Sequence, residues 1–193
     1  MSTFSVYFGL GRDHIADING IDHILFIVAL CVRYQLSDWK KLLILITAFT
    51  IGHSITLALS VFNIVSISTE WIEFLIPVTI ILTAFSNFFV KKFQFREKFP
   101  LIYYLALFFG LIHGLGFSNY LKSLLGQSNN IVTELLAFNL GLEIGQLLIV
   151  ACLLLTTFIA TQLFSLNRRE VMLFLSGAAM GLALQMCIER IPF

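Results

Sequence analysis

The sequence predicts an all-α membrane protein, a helical bundle of about six transmembrane helices in a single domain spanning residues 1–193. Three observations carry this. Hydrophobic residues make up 59% of the chain and charged residues only 12%, whereas a soluble domain is about one-quarter charged. The mean hydropathy is +0.94. The apolar residues fall in runs long enough to cross about 30 Å of hydrocarbon and lack the alternation of a barrel strand. Helices follow because backbone groups cannot go unsatisfied in lipid.

The first run, Gly20 to Arg33, is short unless Ile15 to Asn19 extend it. The others are Lys41–Phe62, Trp71–Val90, Leu101–Leu121, Ile131–Phe164 and Val171–Ile188. The fifth is long enough to tilt or protrude. Residues 1–14, with Phe4, Val6, Tyr7, Phe8 and Leu10, read as a short interfacial segment. No cleavable signal peptide is expected there. Cys31, Cys152 and Cys187 lie inside apolar runs without paired spacing, so buried free thiols are expected. No basic cluster interleaved with aromatics is present, which argues against nucleic acid as a partner.

Short loops rich in Lys and Arg mark the cytoplasmic side. Arg33, Lys40, Lys41, Lys91, Lys92, Arg96, Lys98, Arg168 and Arg169 fall on one face, against Arg12, Lys122 and Arg190 on the other. Both termini are therefore expected on the non-cytoplasmic side of a multi-pass protein in a bacterial inner (cytoplasmic) membrane. Gly110 with Gly114, Gly141 with Gly145, and Gly177 with Gly181 form four-residue pairs that let helices approach closely.

Ionisable groups inside a span cost roughly 2.5–3.5 kcal/mol each on insertion scales and so point to a partner or a role. Asp22 and His23 open the first span, His53 lies in the second, His113 in the fourth and Glu143 in the fifth. The inferred orientation brings them to a similar depth, in the non-cytoplasmic half. Residues three or four apart share a helix face. Asn19 therefore accompanies Asp22 and His23, Thr50 and Ser54 accompany His53, and Asn139 and Gln146 accompany Glu143. Imidazole and carboxylate together suit a divalent transition metal such as nickel or zinc. The expected ligands are Asp22, His23, His53, His113 and Glu143. Asn19, Thr50, Ser54, Asn139 and Gln146 would orient them. A buried hydrogen-bond network is the alternative. Glu134 is expected to face the headgroups.

Four stretches resemble the HupE/UreJ family of small bacterial membrane proteins: Gly20-Ile-Asp-His-Ile-Leu-Phe26, Thr47-Ala-Phe-Thr-Ile-Gly-His-Ser-Ile-Thr-Leu57, Gly110-Leu-Ile-His-Gly-Leu-Gly-Phe117 and Phe138-Asn-Leu-Gly-Leu-Glu-Ile-Gly-Gln146. The resemblance implies nickel or cobalt uptake serving hydrogenase or urease maturation, with metal contact at Asp22, His23 and His113. Phe109 and Gly116 stand where the nickel permeases carry histidine and glutamate, and His14 lies eight residues before Asp22 rather than just ahead of it. The chain looks more like a second branch of the family, to which His53 and Glu143 belong.

Two functions follow. One is a metal-ion permease. The other is an intramembrane metal-dependent hydrolase facing the non-cytoplasmic side, with Glu143 or Asp22 as general base. Membrane lipids and the ion are the expected partners. A non-catalytic role beside another membrane protein is a third reading.

Overall fold

The computed structural model describes residues 2–18, 20–65, 67–90, 93, 101–125 and 130–192. Every regular element among them is helical: α1 (Thr3–Ala16), α2 (Ile21–Cys31), α3 (Trp39–Val61), α4 (Thr69–Asn87), α5 (Leu101–Leu125), α6 (Ile131–Gln162) and α7 (Arg168–Glu189). A short 3-10 turn, Leu36–Asp38, leads into α3. The boundaries of α3 to α7 follow the apolar runs closely.

The start of the chain differs from expectation. At 1.5 Å per residue, the 11 residues of α2 rise only about 16 Å, too little to cross alone. Helix α1 precedes it, and the two together have the length and apolarity of one span bent by 70°. Five other helices meet that test singly. Residues 3–16 are also more than a surface segment, because α1 packs along the first half of α6. At 32 residues, α6 would span about 48 Å, well beyond the hydrocarbon thickness.

Glycine sets how closely two helix pairs approach. In α1 and α6, a Cβ on Gly11 would strike the Phe138 carbonyl, and one on Gly141 would strike that of Phe8. In α3 and α5, a Cβ on Gly52 would strike Leu107, and Cβ atoms on Gly110 and Gly114 would strike the Phe49 and His53 carbonyls. The register advances together along each pair, so both pairs run parallel. A third pair, α4 and α7, packs beside them, and α2 lies against α4, α6 and α7. Phe26, Phe49 and Phe138 fill the centre, each at most 1% exposed. Leu136, Leu140, Ile144 and Leu148 form an exposed apolar stripe down α6, as a lipid-facing helix requires.

Two expectations fail for the same reason: sequence does not show which face of a helix is covered. Among the described residues nothing lies within 4 Å of where a Cβ on Gly177 or Gly181 would sit, so this third glycine pair makes no close helix contact there. Cys152 is exposed on α6, although Cys31 and Cys187 are buried and all three thiols are free.

Gly141→Ala should therefore destabilise the protein by about 3 kcal/mol or more, because the clash is with backbone rather than a movable side chain. Gly177→Ala should be neutral or stabilising by up to about 1 kcal/mol, since alanine favours the helix. Thermal unfolding in detergent checks both, and equal effects would contradict this packing.

Candidate metal-binding site

The glycine contacts carry histidines with them. His53 follows Gly52 on α3, and His113 lies between Gly110 and Gly114 on α5, so that crossing brings both rings to one place. His14 lies one turn beyond Gly11, near the end of α1, and His23 lies in the first turn of α2. The break between α1 and α2 thus turns His14 and His23 toward each other. All four histidines of the chain meet. Ring centroids stand 4.7 Å apart for His14 and His23, 6.2 Å for His14 and His53, and 5.3 Å for His23 and His113. Phe26 and Phe49 line the cluster beside His113, at 5.0 and 5.3 Å, and Phe117 lies against His14 at 3.8 Å with its ring tilted by 35°.

Few of the ring nitrogens have a protein partner. His113 Nε2 is 3.1 Å from the Thr79 hydroxyl. Asp22 Oδ1 is 3.2 Å from His23 Nδ1, within ion-pair reach but not aligned as a hydrogen bond. It accepts instead from the His23 backbone N–H at 3.0 Å. Asp22 Oδ2 lies 3.5 Å from the Arg190 guanidinium. Buried and without a hydrogen-bond partner among the described residues are His14 Nε2, both nitrogens of His23, both of His53, and His113 Nδ1. Each such group costs about 1–3 kcal/mol if nothing meets it, and native interiors rarely leave several together. One ligand atom from each of His14, His23 and His53 lies within 4.8 Å of the others. Two nitrogens on one tetrahedral zinc-like ion stand about 3.4 Å apart, so the rings would have to close by about 1 Å for all three to reach it.

The remaining expected residues are placed differently. Glu143 accepts a 2.6 Å hydrogen bond from Thr47, and Gln146 a 2.7 Å bond from Thr50. These tie α6 to α3 one to two turns from His53 and do not join the rings. Ser54 donates to the Thr50 carbonyl at 2.6 Å. Asn139 donates to the Leu135 carbonyl at 2.8 Å, leaving its buried Oδ1 without a partner. Asn19 lies outside the described residues. Glu134, expected at the headgroups, is 5% exposed within the fold. His14 was absent from the expected ligands. Its sequence signals are the residue type and a place ahead of the Asp22–His23 pair, eight residues away, and its nearness to His23 depends on a break whose angle cannot be read from spacing.

A buried polar stripe runs from the cluster along α4. Thr79, beside His113, is followed by Thr83, Ser86 and Asn87, with Thr79, Thr83 and Asn87 each at most 3% exposed. The stripe ends at Arg33, which donates to Asn87 Oδ1 at 2.6 and 2.9 Å and to Ser86 at 2.6 Å. Asn87 in turn donates to the Ala29 carbonyl and to Ser176.

A family model described as "HupE / UreJ protein" matches residues 1–190. The chain belongs to the HupE/UreJ family. Neither the characterised proteins nor the solved structures include a match. In this HupE/UreJ protein the match runs through every helix that contributes a histidine, and it takes in His14 as well as the four motifs.

The Thr79 contact has a measurable consequence in metal-free buffer. Thr79→Val should cost about 1–3 kcal/mol by stripping His113 Nε2 of its partner. Thr83→Val, whose hydroxyl meets only the Thr79 carbonyl, should cost under about 1 kcal/mol. Chemical unfolding in detergent compares the two, and a reversed order would contradict the assignment.

Proposed function

We propose that this HupE/UreJ protein binds a divalent transition-metal ion between His14, His23 and His53 and carries it across the membrane as cargo. The observation behind this reading is the convergence of three rings from three helices with nearly all their nitrogens unpartnered. Imidazole suits nickel, zinc, copper and iron alike, and the family association favours nickel or cobalt. Asp22 balances charge beside His23, and Thr79 holds His113 at the edge of the site. Glu143 fixes α6 against α3 rather than ligating.

Two features support transport. The site lies at a discontinuous span, the arrangement secondary transporters use to bind ions away from either surface. The α4 stripe supplies polar groups from the site toward the opposite end of the bundle, where purely apolar helix halves would leave an ion no partners. The Lys and Arg distribution supports a topology with the termini and the α1–α2 break on the non-cytoplasmic side of a bacterial inner membrane. A membrane-protein partner is compatible with this arrangement.

A second reading is favoured by one observation. A cavity of about 610 Å³ lies beside His14, lined by Asp13, Asp17, Phe117 and Tyr120 among others. Three histidines plus an accessible open position are what a hydrolytic zinc site needs. Asp22, not Glu143, would then be the carboxylate nearest the rings and the general base.

Purified protein should hold about one metal ion per chain, measured by elemental analysis. His14→Ala, His23→Ala and His53→Ala should each weaken binding at least about tenfold, whereas Glu143→Gln should change it less than about twofold. Proteoliposomes should accumulate the ion above empty vesicles. Protein without stoichiometric metal would refute both readings. Bound metal without uptake would refute transport and leave the enzyme.

A further inference from the structure

The end of the bundle away from the histidines carries two arginines without a carboxylate partner among the described residues. Arg33 is 9% exposed, yet its guanidinium meets only the neutral Asn87 and Ser86 side chains. Arg168, at the start of α7, donates to the Arg33 carbonyl at 2.8 Å. Its guanidinium lies 4.1 Å over the Phe93 ring, with the Gln35 amide abutting it. Among the described residues, neither arginine has a carboxylate within 4.0 Å. Asp38, whose charge reaches Arg168, is bonded to Lys41 at 2.8 Å. Two adjacent cations hydrogen-bonded to neutral acceptors among the described residues, with Asp38 bonded elsewhere, form a site that favours an anion.

Arg168 also lines a cleft of about 580 Å³ between the α2–α3 connection, the second half of α6 and the first turns of α7, a volume ordinary for a small-molecule site. The cleft exists because α6 packs on α1 while α7 packs on α4, so α6 and α7 diverge. Leu154, Leu155, Phe158 and Met172 make its walls, and Gln35 and Arg168 its polar end. Leu155 and Phe158 belong to the exposed apolar surface of α6, at 59% and 58% exposure, so the cleft opens sideways onto the face that meets lipid tails. A water-soluble anion would gain nothing from those walls, and a neutral lipid would leave Arg168 unbalanced.

We propose that this cleft binds one anionic phospholipid drawn from the surrounding bilayer, with an acyl chain along Leu154, Leu155, Phe158 and Met172 and the phosphate at Arg168. The site is separate from the histidine cluster and does not depend on what that cluster does.

Native mass spectrometry of the full chain tests this, with detergent micelles doped with phosphatidylglycerol or with phosphatidylcholine of the same chains. One phosphatidylglycerol should be retained per chain with about fivefold preference over phosphatidylcholine, the ratio one basic side chain supplies near an anionic surface. Arg168→Gln should lose the preference while still binding either lipid weakly. Arg168→Lys should keep most of it, which also covers a glutamine variant that fails to fold. Ala151→Phe, which fills the cleft, should exclude both lipids. Equal retention of the two lipids by the unmodified protein would overturn the proposal. So would a preference that survives in Arg168→Gln, or glycerol phosphate alone displacing the bound lipid.

Discussion

Apolar side chains gain little by leaving lipid for one another, so helices in a membrane associate where their backbones can come close. In this protein Gly11, Gly141 and Gly145 permit that approach between α1 and α6, and Gly52, Gly110 and Gly114 between α3 and α5. Both pairs run parallel, and each carries a histidine within a turn of the contact. Backbone proximity at the glycines therefore determines where the imidazoles meet. A methyl group at either crossing would separate the helices and the rings together.

The cluster brings four imidazoles into an interior walled by phenylalanine, with few hydrogen-bond partners for them. That is unfavourable for the fold by itself. Apart from Glu134 Oε2 and Asn139 Oδ1, which also lack a partner among the described residues, the rest of the polar interior is arranged quite differently. Thr47 meets Glu143, Thr50 meets Gln146, and Arg33 meets Asn87 and Ser86, each at 2.6–2.9 Å. A chain that satisfies those groups so fully and leaves six ring nitrogens without protein partners has them available for a ligand from outside the chain. A metal ion meets several such nitrogens at once, which no single side chain can do.

The spans were legible because hydrocarbon thickness imposes a minimum length on every crossing helix, which α3, α4, α5 and α7 meet closely and α6 exceeds. The meeting of His23, His53 and His113 was foreshadowed by their depth once Lys and Arg had given an orientation. His14 was not, because the bend between α1 and α2 is tertiary: no residue spacing specifies 70°. Glu143 is expected near the rings by depth, helix face and family resemblance, but none of these specifies which neighbour a side chain faces, and its carboxylate accepts from Thr47. The same ambiguity hid the burial of Glu134 and the open face of Gly177 and Gly181. Glycine spacing signals that close approach is possible, and only the partner helix decides whether it happens.

The most direct test of the central claim is X-ray absorption spectroscopy of the purified protein loaded with one equivalent of zinc or nickel. Coordination by about three imidazole nitrogens near 2.0–2.1 Å is the predicted result, with one of them lost in His14→Ala. A shell of oxygen or sulfur without imidazole, or one unchanged by His14→Ala, would contradict it.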